Sequence, residues 1–484
     1  MTITIVGLGP GDPALLTRRA WEVLSSASEV YVRTARHPTL DGLPPTVTVK
    51  SFDAIYEQTV NFAEVYAQVA DEVLQLGAAG DVIYCVPGHP LVGESTVTNV
   101  LRRAKEQGIK TVVVAGLSFV EPALTALHLD ALDGLQIADA LDIAAGHHPA
   151  LDPDRPALLA QVYNRSVASD VKLTLLNQYA PDHQVALLNA VGTEYEHVLW
   201  LPLAEIDRRD DVAHLTSLYV PALSYLGGFS AFQETIAHLR APEGCPWDRE
   251  QTHQSLRKYL LEETYEVLEA LDADDAEALC EELGDLLLQI VLHTQIAVDN
   301  EEFRMPDVIA HIDAKLKRRH PHVFGEVIVN DSEDVKRNWQ TIKQAEAIEN
   351  GKAEKRQSAL DGVPRGLPAL AEAEAIGGKA AHANFDWRSI DGVVDKVAEE
   401  IRELQSVANE AEREDELGDV LFSIANLARW LKIDPEAALR AATAKFSRRF
   451  REVERQAREQ NRTLNELNDA ELDALWVAAK QTVS

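Results

Sequence analysis

Cysteine is scarce in this 484-residue chain. Its three cysteines, Cys85, Cys245 and Cys280, form no CxxC pair and no metal-like spacing. That excludes a disulfide framework and a zinc site, and it suits a reducing cytosol. Positive charge is in deficit as well: 46 Lys plus Arg against 78 Asp plus Glu leave a net charge of -32. Nonspecific binding to nucleic acid or to an anionic membrane needs a basic surface, so neither partner is expected. No apolar run approaches the ~20 residues that a membrane-spanning helix needs. The amino terminus, MTITIVGLGPGD, lacks the basic region and long apolar core of a signal peptide. These absences together predict a soluble, cytoplasmic protein. No Ser/His/Asp or Cys/His set stands out as a nucleophile either.

Carboxylate, by contrast, is plentiful, and it is laid out twice in one pattern. YLLEETYEVLEAL followed by EELGDLLLQIVLH carries Glu262, Glu263, Glu266, Glu282 and Asp285. VAEEIREL followed by DELGDVLFSIANLAR carries Glu399, Glu400, Glu403, Glu416 and Asp419. Both read EExxE and then ExxD, within segments of helical period. Residues three or four apart share a helix face, so Glu263 points with Glu266, and Glu282 with Asp285. Carboxylates converging from two antiparallel helices repel one another unless a cation sits between them. Hard oxygen ligands at this density suit magnesium, which shares its shell with waters and substrate phosphates. A single acidic helix face is usually no more than solvated. A repeat this long is a specific signal. Each copy is also followed by a basic cluster of the form AK-apolar-x-RR: Lys315, Lys317, Arg318 and Arg319 after the first, Lys445, Arg448 and Arg449 after the second.

Ahead of the repeats, residues 1 to about 225 alternate strand-like and helix-like segments. TITIVGLG, EVYVRT, DVIYCVPG and TVVVAG read as strands, with LLTRRAWEVLSSA and FAEVYAQVADEVLQLG as helices between them. This is the rhythm of an α/β domain with a largely parallel sheet, whose ligand site lies beyond the carboxyl ends of the strands. Gly7, Gly9, Gly11, Gly88 and Gly116 fall there. From 151 to 220 a second α/β subdomain follows, which places a cleft between the two. GLGPGD is neither the dinucleotide fingerprint GxGxxG nor the phosphate loop GxxxxGK[ST]. A turn-rich stretch, APEGCPWDREQTHQSL, then opens an almost entirely helical remainder. The boundaries are 1–225 for the α/β domain, 230–345 for the first helical unit, 346–368 for a charged connector and 369–484 for the second unit.

VGLGPGD, VPGHPLVGEST and AGLSFVEPAL, in that order, resemble the tetrapyrrole (corrin/porphyrin) methylases. The resemblance implies S-adenosylmethionine held between two α/β subdomains, beside Gly88, His89, Pro90 and Leu91 and a second loop with Ser118. His89 stands where the family has Asp. GCPWD, LEETYEVLEAL, EELGDLLLQIV and KRRHPHVF, then FDW, EEIREL, DELGDVLF and KFSRRFREVE, resemble the tandem MazG nucleoside triphosphate pyrophosphohydrolases. That resemblance implies all-α helical-bundle units, homodimerisation and magnesium-dependent cleavage of a nucleoside triphosphate to monophosphate and pyrophosphate. Carried over by position, Glu400, Glu403, Glu416 and Asp419 match the metal ligands of the second unit, with Glu263, Glu266, Glu282 and Asp285 their counterparts in the first. Lys396, Glu399, Glu400, Lys445, Arg448, Arg449 and Trp476 match nucleotide-contacting positions. Lys445 and Arg449 join the four second-unit carboxylates as the catalytic set, clamping charge that grows in the transition state. Two other readings compete with the hydrolase. One is an S-adenosylmethionine-dependent methyltransferase with the helices as a nucleotide-sensing or dimerising passenger; the other is a non-enzymatic scaffold.

Overall fold

The computed structural model describes residues 1–58, 62–349, 358–364, 366–407 and 409–482, so part of the expected connector lies outside the described residues. The chain divides into two compact units, Met1–Glu250 and Gln251–Ser484.

In the first unit, β1 (Thr2–Gly7), β2 (Glu29–Val32), β3 (Thr48–Ser51), β4 (Val82–Val86) and β5 (Lys110–Val114) pair in the order β3-β2-β4-β1-β5. Every pairing in this sheet is parallel. A parallel sheet covered on both faces needs strands that are apolar on both sides, and β1 meets that need. Ile3 and Ile5 pack with Val69, Val73, Val97 and Val100, which come from the helices Phe62–Ala79 and Ser95–Glu106. Val6 joins Leu24, Val32 and Cys85 in a separate core cluster.

The second sheet comprises β6 (Gln136–Asp139), β7 (Ala157–Ala160), β8 (Gln184–Asn189), β9 (His197–Pro202) and β10 (Thr216–Val220), in the order β6-β7-β10-β8-β9. Only β6 and β7 run parallel; the other pairs are antiparallel. Strands β3 and β6 were not foreseen from sequence. Each has four residues, and TVKS and QIAD carry no apolar run. Alternate residues of β8 enter different cores: Val185 and Leu187 pack with Val167, Val171 and Leu175, whereas Ala186 and Leu188 pack with Ala123 and Tyr219.

The second unit is helical. Numbered from its start, its longer helices among the described residues are α1 (Arg257–Ala273), α2 (Ala276–Asp299), α3 (Met305–Arg319), α4 (Ser332–Glu349), α5 (Ala369–His382), α6 (Ile390–Ser406), α7 (Glu410–Leu431), α8 (Pro435–Glu459) and α9 (Asp469–Thr482). Two aspartates make the turn between α1 and α2. Asp274 takes the left-handed conformation that ends α1, and the Asp275 carboxylate accepts from the backbone N–H groups of Glu277 and Ala278 to start α2. Asp434 caps α8 in the same manner, with Pro435 at its first position. No helix among the described residues is long and apolar enough to cross a membrane.

Candidate functional site

The two sheets of the first unit line one cavity of about 850 Å³. Its floor is built where β1, β4 and β5 end. A Cβ on Gly116 would sit 2.4 Å from the Gly88 carbonyl oxygen, and one on Gly7 would sit 2.5 Å from it, so these three loops touch backbone to backbone. Gly88 has φ +65° and exchanges two backbone hydrogen bonds with Gly9. Thr39 pins the neighbouring turn by donating its hydroxyl to the carbonyls of Leu8 and Gly11 at 3.0 and 2.9 Å. Gln161 and Ala190, just past the ends of β7 and β8, both line the cavity with positive φ, 66° and 48°. Strain of this kind in non-glycine residues clusters at functional sites.

Of the five residues expected around a cofactor, Gly88, His89 and Ser118 line this cavity. Pro90 is buried and Leu91 is exposed, and neither is part of the lining. The His89 ring accepts the Leu91 backbone N–H at Nδ1, 3.1 Å away, which fixes the loop. Ser118 is held by Glu121, whose carboxylate accepts both its backbone N–H and its hydroxyl. Sequence reasoning missed the Arg33–Glu94 ion pair, both of whose members line the cavity. Burial pushes the Glu94 carboxyl up, and Arg33 offsets part of that shift. His37, also in the lining, is pushed down to about 4 by burial and by the Arg33 charge, against a hydrogen bond to Gly9 that favours its charged form. Glu94 lies within the VPGHPLVGEST motif, but nothing local signals that Arg33 meets it.

In the second unit each acidic hairpin gathers its carboxylates. Oxygens of Glu263, Glu266 and Glu282, from α1 and α2, lie within 4.8 Å of one another. Asp285 adds its field to both Glu263 and Glu282. Oxygens of Glu399, Glu400 and Glu403 form a second such triad, and those of Glu400, Glu416 and Asp419 a third, so Glu400 is common to two. Burial, followed by the neighbouring carboxylates, raises the pKa of Glu263, Glu282 and Glu416. The donor set is all carboxylate oxygen, with no histidine or thiol, and it fits a hard divalent cation. A cation already stands within the second cluster: Lys396 Nζ lies 2.6 Å from Glu400 and 2.7 Å from Glu399.

The two basic clusters differ in their partners. On α3, Arg318 and Arg319 both reach Glu346 of α4, at 2.7 and 2.6 Å, and pull its carboxyl down to about 2. Arg319 also lies over the Trp339 ring, with 5.3 Å to the centroid. Lys317 pairs with Asp313. On α8, Lys445 and Arg448 are exposed, and Glu452 pairs with Arg455 at 2.6 Å. Trp476 packs beside Phe446, 5.2 Å between ring centroids, against a small core of Val453, Leu467 and Leu475.

Comparison with known proteins matches this division of the chain. The model of the MazG nucleotide pyrophosphohydrolase domain matches residues 251–324 and 389–454, and that of the Tetrapyrrole (Corrin/Porphyrin) Methylases matches residues 2–207. The Bacillus subtilis (strain 168) protein YabN is 41% identical over 489 residues, covering 99% of this chain and 98% of that one. The nucleoside triphosphate pyrophosphohydrolase/pyrophosphatase MazG of Thermotoga maritima is 44% identical over 253 residues, 51% of this chain and 95% of its own. The nucleoside triphosphate pyrophosphohydrolase of Escherichia coli (strain K12) is likewise 44% identical over 253 residues, 94% of its length. The chain belongs to the MazG family, in the form that carries a tetrapyrrole methylase domain ahead of two MazG repeats.

Proposed function

We propose that the second unit is a magnesium-dependent nucleoside triphosphate pyrophosphohydrolase, releasing nucleoside monophosphate and pyrophosphate, with its working site on α6, α7 and α8. The observation that carries this reading is the convergence of Glu400, Glu403, Glu416 and Asp419 in a chain whose relatives are named for that activity. Magnesium, when bound there, would supply charge neutralisation and a water acidic enough to attack at neutral pH. The carboxylates hold the ion's place and present a base for the water's proton. Lys445, Arg448 and Arg449 meet the negative charge that builds as pyrophosphate leaves the α-phosphorus. Glu263, Glu266, Glu282 and Asp285 form a second, less active site. The test is pyrophosphate release from mixed nucleoside triphosphates by the full chain as magnesium is raised; a rate indifferent to magnesium would sink it.

The cavity of the first unit favours a second activity, with S-adenosylmethionine bound against Gly88, His89 and Ser118. The support is that the glycine loops and two strained residues meet in one cavity. Calorimetry with S-adenosylhomocysteine should show saturable binding, and its absence would count against a methyl-transfer role. The second unit also works as a homodimer. Leu283, Leu287, Leu417, Leu421 and Phe446 are about half exposed on its helices, and covering the remainder of each is worth roughly 1 kcal/mol. Sedimentation at micromolar concentration checks this. Its place is the cytosol, where thiols such as Cys245 and Cys280 stay free.

A further inference from the structure

Glu400 is 5% exposed, and its ion-pair partner is a residue of its own helix, Lys396, four positions earlier. A buried carboxylate without a counter-charge is expensive, and Lys396 meets that need for the one residue common to two carboxylate triads. The first copy has no such device. Its residue in register is Tyr259, and the adjacent Lys258 lies over that ring, 4.5 Å from the centroid. Among the described residues no ion pair reaches Glu263, Glu266 or Glu282.

We propose that Lys396 is a built-in counter-cation whose exchange couples metal binding to nucleotide binding at the second cluster. The inference rests on the reading that this cluster holds the metal. An ammonium group and a divalent ion compete for the same carboxylate oxygens, so the metal displaces Lys396. Beside a newly bound dication the freed ammonium is repelled, and a triphosphate is the anion that receives it. Metal and triphosphate therefore bind with positive coupling, which linkage makes reciprocal. The first cluster, with no lysine to move, loads its metal without nucleotide.

The experiment is calorimetric titration of Mg2+ into the full chain carrying Glu263→Gln and Glu282→Gln, so that only the second cluster loads. It is run with and without the α,β-methylene analogue of ATP. The expected result is Mg2+ affinity about tenfold higher with the analogue, a coupling of about 1.4 kcal/mol. Adding Lys396→Met should raise affinity for Mg2+ alone by a similar factor and lower the coupling to what direct metal–phosphate contact supplies, while Lys396→Arg retains it. Melting of Lys396→Met should fall in EDTA yet match the parent at saturating Mg2+; a general folding defect would lower both. Mg2+ affinity unchanged by Lys396→Met, or coupling undiminished by it, overturns the exchange and leaves the metal site standing. No Mg2+ binding in either condition removes both.

Discussion

The two MazG repeats carry the same residue types and spend them in opposite ways. In the first, Arg318 and Arg319 grip Glu346, while among the described residues no ion pair reaches the carboxylate triad. In the second, the carboxylate side is occupied by Lys396, and Lys445 and Arg448 stand exposed on α8. As sequence motifs the two look alike, because a motif holds residues and not their partners. The basic clusters differ in this way: one carboxylate holds both Arg318 and Arg319 in the first copy, whereas Lys445 and Arg448 of the second are exposed.

The largest effect that can break this comparison is loss of one carboxylate. Asp419→Asn should cut pyrophosphate release on the order of a hundredfold, and Asp285→Asn less than about threefold, with both variants folded. Equal losses would make the repeats equivalent, and a larger loss from Asp285→Asn would reverse the assignment. Next comes the basic helix. Arg449→Ala should lower kcat/KM by about ten- to a hundredfold, the worth of one charge-assisted hydrogen bond, whereas Arg319→Ala should leave it near that of the parent. Wild-type kcat/KM in Arg449→Ala would remove the clamp from the mechanism. A smaller change sharpens the contrast from the other side. Glu346→Gln releases Arg318 and Arg319, and in an Asp419→Asn background it should raise residual pyrophosphate release by a few-fold if their capture is what quiets the first copy.

The smallest effect is on stability. Glu282 and Glu263 have pKa values raised by burial and by neighbouring carboxylates. Their contribution is therefore fully present below the unfolded glutamate value of about 4.3 and is lost as pH rises through their raised folded values. Without metal, Glu282→Gln should melt higher than the parent at pH 7 by about 1–2 °C and no higher at pH 4. Glu416→Gln should gain less, because Lys396 already compensates its cluster. Thermal melts in EDTA at the two pH values decide between these.

Much of this was legible in the chain. The carboxylates announced themselves because helical spacing turns a sequence interval into a shared face, and the glycine loops because only glycine allows the approach seen at Gly7, Gly88 and Gly116. Three kinds of feature were not. Strands β3 and β6 are four residues each and owe their pairing to neighbours. Arg33 meets Glu94, and Arg319 meets Glu346, across sequence gaps that no local pattern spans. The positive φ of Gln161 and Ala190 belongs to residues that give no hint of it.

The turn of Asp274 and Asp275 carries one more consequence, for how this lineage can change length. An α-helix advances about 100° per residue, so a residue inserted within either helix, between the turn and the carboxylates, would swing Glu282 and Asp285 away from Glu263 and Glu266. A residue added to the turn itself leaves both faces where they are. The two copies already differ there: Glu266 and Glu282 are sixteen positions apart, Glu403 and Glu416 thirteen, and both hairpins gather their carboxylates. Among relatives, indels between α1 and α2 should therefore fall at the turn and be purged from the helical stretches that lead from it to the carboxylates.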